Sequence, residues 1–262
     1  MRLAFLLLTY AYAQEVIELP GEWSLFAVDG LYHIYGWDAT QRAFYKLWAP
    51  RYDSLTRIGG APGPEGFLSV ASIAPIGNQQ VYVLDAEGQK IMLLGTNLQP
   101  LQRLTYAQLP SEVAEGFPVL LTASSGTELY LLLRETQEIL KVDAFGRVLL
   151  RFGGKVYGTG FLAGAAFLHA EGDKVFVVDT IRRAIIEYDS WGNYLQSVPF
   201  PPEMKKGWAS EKGRVFWRNN LIRWEGMQLM TYTCPVQVRA VWIQGRRLYW
   251  LGERQIGWFP LP

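Results

Sequence analysis

Val175-Phe176-Val177-Val178 is the stretch that decides the fold. Before it lie Ala165 to Ala170 and the Gly172-Asp173 turn, and after it Ile185 to Tyr188 and Tyr194 to Val198. Together these segments read as one antiparallel sheet of four short strands. Asp189-Ser190-Trp191-Gly192 joins the last two, where Asp starts a turn and Gly supplies the positive φ of a hairpin loop. The Val175 run is apolar throughout rather than alternating, the pattern of a sheet covered on both faces. Working outward, similar runs occur at Leu31-Tyr32-His33-Ile34, Val81-Tyr82-Val83-Leu84, Leu129-Tyr130-Leu131-Leu132, Val215-Phe216-Trp217 and Leu248-Tyr249-Trp250-Leu251. With Val175 in its place, their starts are 50, 48, 46, 40 and 33 residues apart. A period of that size built from short apolar runs marks a β-propeller blade. The chain is therefore expected to be all-β, a six-bladed propeller of four-stranded antiparallel blades.

Details within the repeats agree. Asp143-Ala144-Phe145-Gly146 repeats the outer hairpin of the Val175 repeat, and Gly30, Gly77, Gly126, Gly172, Gly213 and Gly245 stand at the turns after the inner strands. The repeated aromatic should pack between neighbouring blades. Trp208, Trp217, Trp224, Trp242, Trp250 and Trp258 crowd into the two shortest repeats, where large rings can fill volume that shorter strands leave open; a sugar-stacking platform is the alternative. The last repeat supplies only three strands, Val238 to Ile243, Leu248 to Leu251 and Ile256 to Phe259. An unpaired edge would invite association, so Glu15-Val16-Ile17-Glu18-Leu19, a strand without a blade of its own, is expected to close the ring.

Half of the 262 residues are hydrophobic, which suffices for one large core. Met1 to Ala13, with one basic residue, a short apolar run and Ala11-x-Ala13, fits a secretory signal cleaved before Gln14, leaving 14–262 as a single domain. That segment is too short to span a bilayer, no transmembrane segment is expected, and the protein should be extracytoplasmic: periplasmic, cell-surface or secreted. Cys234 is the only cysteine, so no internal disulfide can form.

Without Arg2 the chain carries 24 basic and 24 acidic residues, which gives no long-range attraction to nucleic acid. The charges are unevenly spread. Residues 14–200 hold 14 Lys and Arg against 20 Asp and Glu, while residues 201–262 hold 10 against 4. A basic sector on an otherwise acidic body could dock an acidic partner.

The repeats resemble the six-bladed propellers of the NHL type. Val175 to Asp179, Ile185 to Asp189 and Gly192 to Leu195 follow that family's order of strand, strand, turn and strand. Arg57-Ile58-Gly59-Gly60 and Arg151-Phe152-Gly153-Gly154 look like its repeat ends, with Gly66-Phe67 and Gly160-Phe161 leading into the next inner strand. The likeness is clear for the first four repeats and degenerate in the last two. The chain is also similar to secreted propeller proteins of the Bacteroidetes group. The resemblance implies fold and compartment and carries no reaction with it.

Loops from second to third strand, and from outer strand to the next inner strand, share one face around the channel. That face should gather Asp38, Asp85, Glu87, Arg134, Asp179, Arg182, Arg183, Arg218, Asn219, Asn220, Glu253 and Arg254. The binding candidates among them are Asp85, Arg134, Asp179, Arg182, Arg183, Arg218, Asn219, Asn220 and Arg254. Asp85 and Asp179 share one repeat position, where Asp can equally cap its own loop through backbone N–H groups. The amidating lyases that NHL propellers resemble need several zinc-binding histidines, whereas only His33 and His169 are present, each expected to be a packed or surface imidazole. No Gly-x-Ser-x-Gly element and no phosphate-binding loop occurs. The expected function is a non-catalytic scaffold that meets a protein or glycan of the cell envelope as a monomer without cofactor. The alternative is a calcium-dependent lactonase of the gluconolactonase type, its metal held by oxygen ligands such as Asp85, Asp179, Asn219 and Asn220.

Overall fold

A computed structural model describes residues 15–60, 66–77, 79–124, 128–156 and 158–262. The expected signal segment and Gly126 lie outside these residues. Six four-stranded antiparallel sheets follow one another around a ring. Blade 1 comprises Trp23–Val28, Ile34–Asp38, Ala43–Leu47 and Leu55–Gly59, and blade 2 Val70–Ile76, Gln80–Asp85, Lys90–Leu94 and Pro100–Thr105. A helical turn (Tyr106–Gln108) and a short helix (Ser111–Ala114) lead into blade 3: Pro118–Ala123, Leu129–Leu133, Glu138–Val142 and Val148–Gly153. Blade 4 is Ala165–Glu171, Lys174–Asp179, Ala184–Asp189 and Tyr194–Pro199, and blade 5 is Lys206–Ser210, Gly213–Arg218, Leu221–Glu225 and Leu229–Thr233. Blade 6 contributes Ala240–Gln244, Arg247–Leu251 and Gln255–Pro260. Its fourth strand is Glu15–Glu18, paired antiparallel with Gln255–Pro260 so that Glu15 faces Trp258 and Glu18 faces Gln255. The N-terminal segment thus closes the ring, and Leu19, whose N–H donates to the Arg254 carbonyl, tucks its side chain into the core.

The second strands of blades 1 to 4 are buried almost end to end, as continuous apolar runs between two neighbouring sheets must be. The repeated aromatics Tyr82, Tyr130 and Phe176 are all buried, as are Phe216 and Tyr249. In the first repeat the sequence frame needs correction. Leu31-Tyr32-His33 is a loop, and the second strand is Ile34-Tyr35-Gly36-Trp37-Asp38, which puts Tyr35 at the position of Tyr82 and Asp38 at that of Asp85. The cause is Asp29. Its carboxylate accepts the backbone N–H groups of Leu31 (2.9 Å) and His33 (2.9 Å), which turns the chain once more before the strand begins and holds Tyr32 at φ 68°. Ile34 then precedes Val81 by 47 residues, closer to the spacing of the next repeats. Gly36 is required by packing: a Cβ there would lie 1.9 Å from the Trp23 ring, which rests flat on its backbone.

The late tryptophans fill volume. Trp208, Trp217, Trp224, Trp242, Trp250 and Trp258 are all buried, so none of them forms an open stacking platform. Around the channel, the inner strands are joined in two ways. Between blades 2, 3 and 4 the contact is polar: Ser72 Oγ accepts the Leu121 N–H (3.0 Å), and Thr122 Oγ1 accepts that of Ala170 (3.1 Å). Between blades 4, 5 and 6 it is aromatic. The His169 ring lies 5.0 Å from Trp208 and 5.4 Å from Trp242, and those two indoles are 5.7 Å apart.

Candidate functional site

At the face of the second-to-third strand turns, each carboxylate at the end of a second strand binds backbone. Asp179 is fully buried and accepts four N–H groups, from Ala163 (2.6 Å), Gly164 (3.1 Å), Ile181 (3.0 Å) and Arg182 (2.9 Å). Asp85, equally buried, accepts from Leu68 (3.0 Å), Ser69 (2.8 Å) and Gly88 (3.0 Å), with the Lys90 ammonium 3.6 Å away. Asp38 does the same with Glu22 (3.0 Å) and Gln41 (2.9 Å). Each carboxylate therefore ties the hairpin turn of its blade to the segment entering that blade's inner strand. Leu133 takes this position in blade 3, and there Gln137 Oε1 accepts the N–H of Ala165 at the start of blade 4 (2.8 Å).

The cationic and amide candidates occupy the same end of the sheets, one in blade 3, two in blade 4, three in blade 5 and one in blade 6. Arg134, Arg183, Arg218, Asn219, Asn220 and Arg254 are exposed, and Arg182 is half-buried. Arg182 donates to the Phe161 carbonyl and its guanidinium carbon lies 4.1 Å from the Phe161 ring centroid. Arg183, at φ 52°, donates to the Met204 carbonyl (2.9 Å). The Asn219 carbonyl accepts from Val238 (2.7 Å) and that of Asn220 from Cys234 (2.8 Å). No ion pair joins any of these five arginines to a carboxylate among the described residues. The face thus presents guanidinium groups from blades 3, 4, 5 and 6; Asp38, Asp85 and Asp179 turn inward onto backbone, whereas Glu87 and Glu253 are exposed, Glu253 lying 3.8 Å from Arg239.

At the opposite mouth of the channel, the ends of five inner strands surround a cavity of about 220 Å³ bordered by Asp29, Pro75, Thr122, His169, Glu171, Trp242 and Gln244. No sequence motif marks this mouth. Its signal was present in the last residues of each inner strand before the turn glycines, but those residues vary from blade to blade and form no motif. His169 projects from blade 4 against the two indoles, and His33 sits on the loop before its strand, where its Nδ1 meets Asp29 Oδ2 at 2.9 Å. Apolar surroundings push the His169 pKa down to about 4. The unfolded chain, with an ordinary imidazole near pH 6.5, takes up the proton more readily, so stability is complete above about pH 6.5 and falls until about pH 4. A loss on the order of 2–3 kcal/mol is expected across that window. Comparing melting curves of the wild type and His169→Phe from pH 7 to 4 checks this, and the wild-type drop in excess of the variant's should vanish if His169 carries no shift.

Burial pushes the Cys234 thiol up to about 12, which keeps it protonated. Among the described residues no three His, Cys, Asp or Glu side chains converge as they would around a metal. No helix is long and apolar enough to cross a membrane among the described residues.

No protein-family model matches the chain, and no curated protein matches it in sequence. Solved structures do. Virginiamycin B lyase from Staphylococcus aureus is 13% identical over 90% of this chain and 80% of its own, with a TM-score of 0.59. The luciferin-regenerating enzyme is 15% identical over 94% and 95%, with a TM-score of 0.60. BamB from Moraxella catarrhalis is 8% identical over 95% and 97%, with a TM-score of 0.53. At such identities the likeness is one of fold, and together with the six sheets it makes this chain a six-bladed β-propeller closed by its N-terminal strand.

Proposed function

We propose that this propeller is a non-catalytic binding scaffold of the cell envelope, which docks an acidic protein or an anionic glycan on its arginine face. The observation that carries the reading is the division of labour on that face. Asp85 and Asp179 spend their oxygens on buried backbone N–H groups, whereas Arg134, Arg182, Arg183, Arg218 and Arg254 have no carboxylate partner among the described residues. Guanidinium groups without a carboxylate partner, spread over four blades of one face of a rigid ring, steer and hold anionic partners. An extracytoplasmic site rests on the leader-like Met1 to Ala13, and kinship with NHL-type propellers rests on the Val175 to Asp179, Ile185 to Asp189 and Gly192 to Leu195 pattern and on the Arg57 to Gly60 and Arg151 to Gly154 repeat ends.

Two probes separate the partner classes: heparin for an anionic glycan and polyglutamate for an acidic protein segment. Salt-sensitive retention of the folded protein on one of them is expected. The triple variant Arg134→Gln, Arg218→Gln and Arg254→Gln, whose side chains donate no described hydrogen bond, should weaken it about tenfold or more. Retention unchanged in that variant, or none on either probe, would count against the arginine face.

An enzymatic reading keeps support from the fold, since two of the similar structures carry enzyme names. A calcium-dependent lactonase using Asp179 and Asn219 would gain stability from the metal by mass action. With Asp179 occupied by four N–H donors, the scaffold reading expects no such gain. A melting temperature raised by several degrees in millimolar calcium, with the rise abolished in Asp179→Ala, would replace the scaffold with the enzyme.

A further inference from the structure

Between blades 6 and 1, at the end of the sheets opposite the arginine face, lies a cleft of about 270 Å³. Its walls come from Leu31, Tyr32, Pro50 and Tyr52 and are mostly apolar; its polar groups belong to Arg247 and His33. Arg247 begins the second strand of blade 6, and its guanidinium carbon lies 4.9 Å from the Tyr32 ring centroid and 5.0 Å from that of Trp258. No carboxylate lies within ion-pair distance of it among the described residues. Two aromatic rings thus flank a permanent cation that no carboxylate of the described residues pairs with, beside the Tyr52 and Tyr249 phenols and at the edge of an apolar hollow.

The hollow is built rather than incidental. Tyr32 and Tyr52 both hold left-handed backbone conformations, at φ 68° and 57°, which cost energy for aromatic residues and persist only where their surroundings enforce them. The Tyr52 hydroxyl donates to the Tyr32 carbonyl (3.0 Å), locking the two walls together. The Tyr32 hydroxyl lies over Gly245, where a Cβ would come within 2.5 Å of it; only glycine leaves that ring its place beside Arg247. His33, held by Asp29 and packed edge-on against Trp48 at 5.0 Å, is fixed as well.

We propose that this cleft binds a small apolar carboxylate, such as an aryl- or alkyl-substituted acid, its carboxylate on Arg247 and its apolar body between Tyr32, Pro50 and Tyr52. A guanidinium stacked on rings still presents N–H groups in its own plane, which is the geometry that pairs with a carboxylate through two hydrogen bonds. Aromatic flanks hold the cation without neutralising it, so its charge remains available to a ligand. The volume, just below that of sites for drug-sized molecules, admits one ring or a short chain.

Calorimetric titration of the folded full chain with phenylacetate and with phenylacetamide, its neutral counterpart of equal shape, tests the assignment. Saturable binding of phenylacetate is expected, about tenfold or more tighter than the amide, with a loss of about tenfold or more in Arg247→Met. Should Arg247→Met unfold at the titration temperature, Arg247→Lys serves instead: it retains the charge, lacks the planar fork and should weaken binding about fivefold. Tyr32→Ala, which removes one wall, should weaken it also. No saturation up to about 10 mM, equal affinity for the amide, or affinity unchanged in the Arg247 variant would overturn the proposal.

Discussion

Removal of Glu15–Leu19 is expected to cost on the order of 5 kcal/mol and to turn the propeller into an associating species. The segment supplies the whole fourth strand of blade 6, in register from Glu15 opposite Trp258 to Glu18 opposite Gln255. Each ladder hydrogen bond contributes about 1 kcal/mol net, and burial of the Leu19 side chain adds roughly 2 kcal/mol. That sum is comparable with the entire stability of an ordinary domain, about 5–15 kcal/mol. The loss also bares the Gln255–Pro260 edge, whose free N–H and C=O groups are a template for pairing with a second chain. Thermal melting together with light scattering after gel filtration reads both effects. A monomer with an unchanged melting temperature would show that closure by this strand contributes nothing.

The corrected frame of the first blade yields an equally sharp contrast between two tyrosines three residues apart. Tyr35→Ala should cost on the order of 3–5 kcal/mol, the range for deleting a large buried ring. Tyr35 is completely buried and its hydroxyl donates to Asp29 Oδ2 at 3.0 Å, so the substitution removes a bond to a buried carboxylate as well. Tyr32→Ala, on a half-exposed loop residue, should cost about 1 kcal/mol or less. Chemical denaturation of the two variants separates them. Equal losses, or the larger loss at Tyr32, would mean that the Leu31-Tyr32-His33 run and not Ile34-Tyr35-Gly36 carries the inter-blade contact.

These two positions also show what could be read in advance. Val81, Leu129 and Val175 begin runs whose period and continuous apolarity announce a sheet covered on both faces, and the structure has second strands there. In the first blade two aromatic runs overlap, Leu31-Tyr32 and Ile34-Tyr35, and the choice is made by the Asp29 carboxylate gathering the N–H groups of Leu31 and His33. That is a contact of geometry which no periodicity reports. Closure by Glu15–Glu18 was legible because a three-stranded final repeat and a spare strand are complementary deficits. The sites were harder. Asp179 and Arg182 could be placed at one end of a blade from topology, but the hydrogen bonds that turn Asp179 inward depend on the Ala163-Gly164 segment approaching from the previous blade. The Arg247 cleft was further from view, since Tyr32, Tyr52, Arg247 and Trp258 meet only because the ring brings its first and last blades together.

The pairing of Glu15 with Trp258 also sets the order of events during folding. Contacts within each blade are local and can form as hairpins, yet the pairing that locks the circle joins segments separated by nearly the whole chain, and such distant contacts are the slow ones. Glu15–Glu18, made before any of the blades, must wait for Gln255–Pro260, made after five of them. Until then Gln255–Pro260 and Glu15–Glu18 are both unpaired edges, so refolding should end in a single slow step that leaves β-structure nearly unchanged while burying Trp258. Stopped-flow tryptophan fluorescence compared with far-ultraviolet circular dichroism would separate that last step from the assembly of the blades.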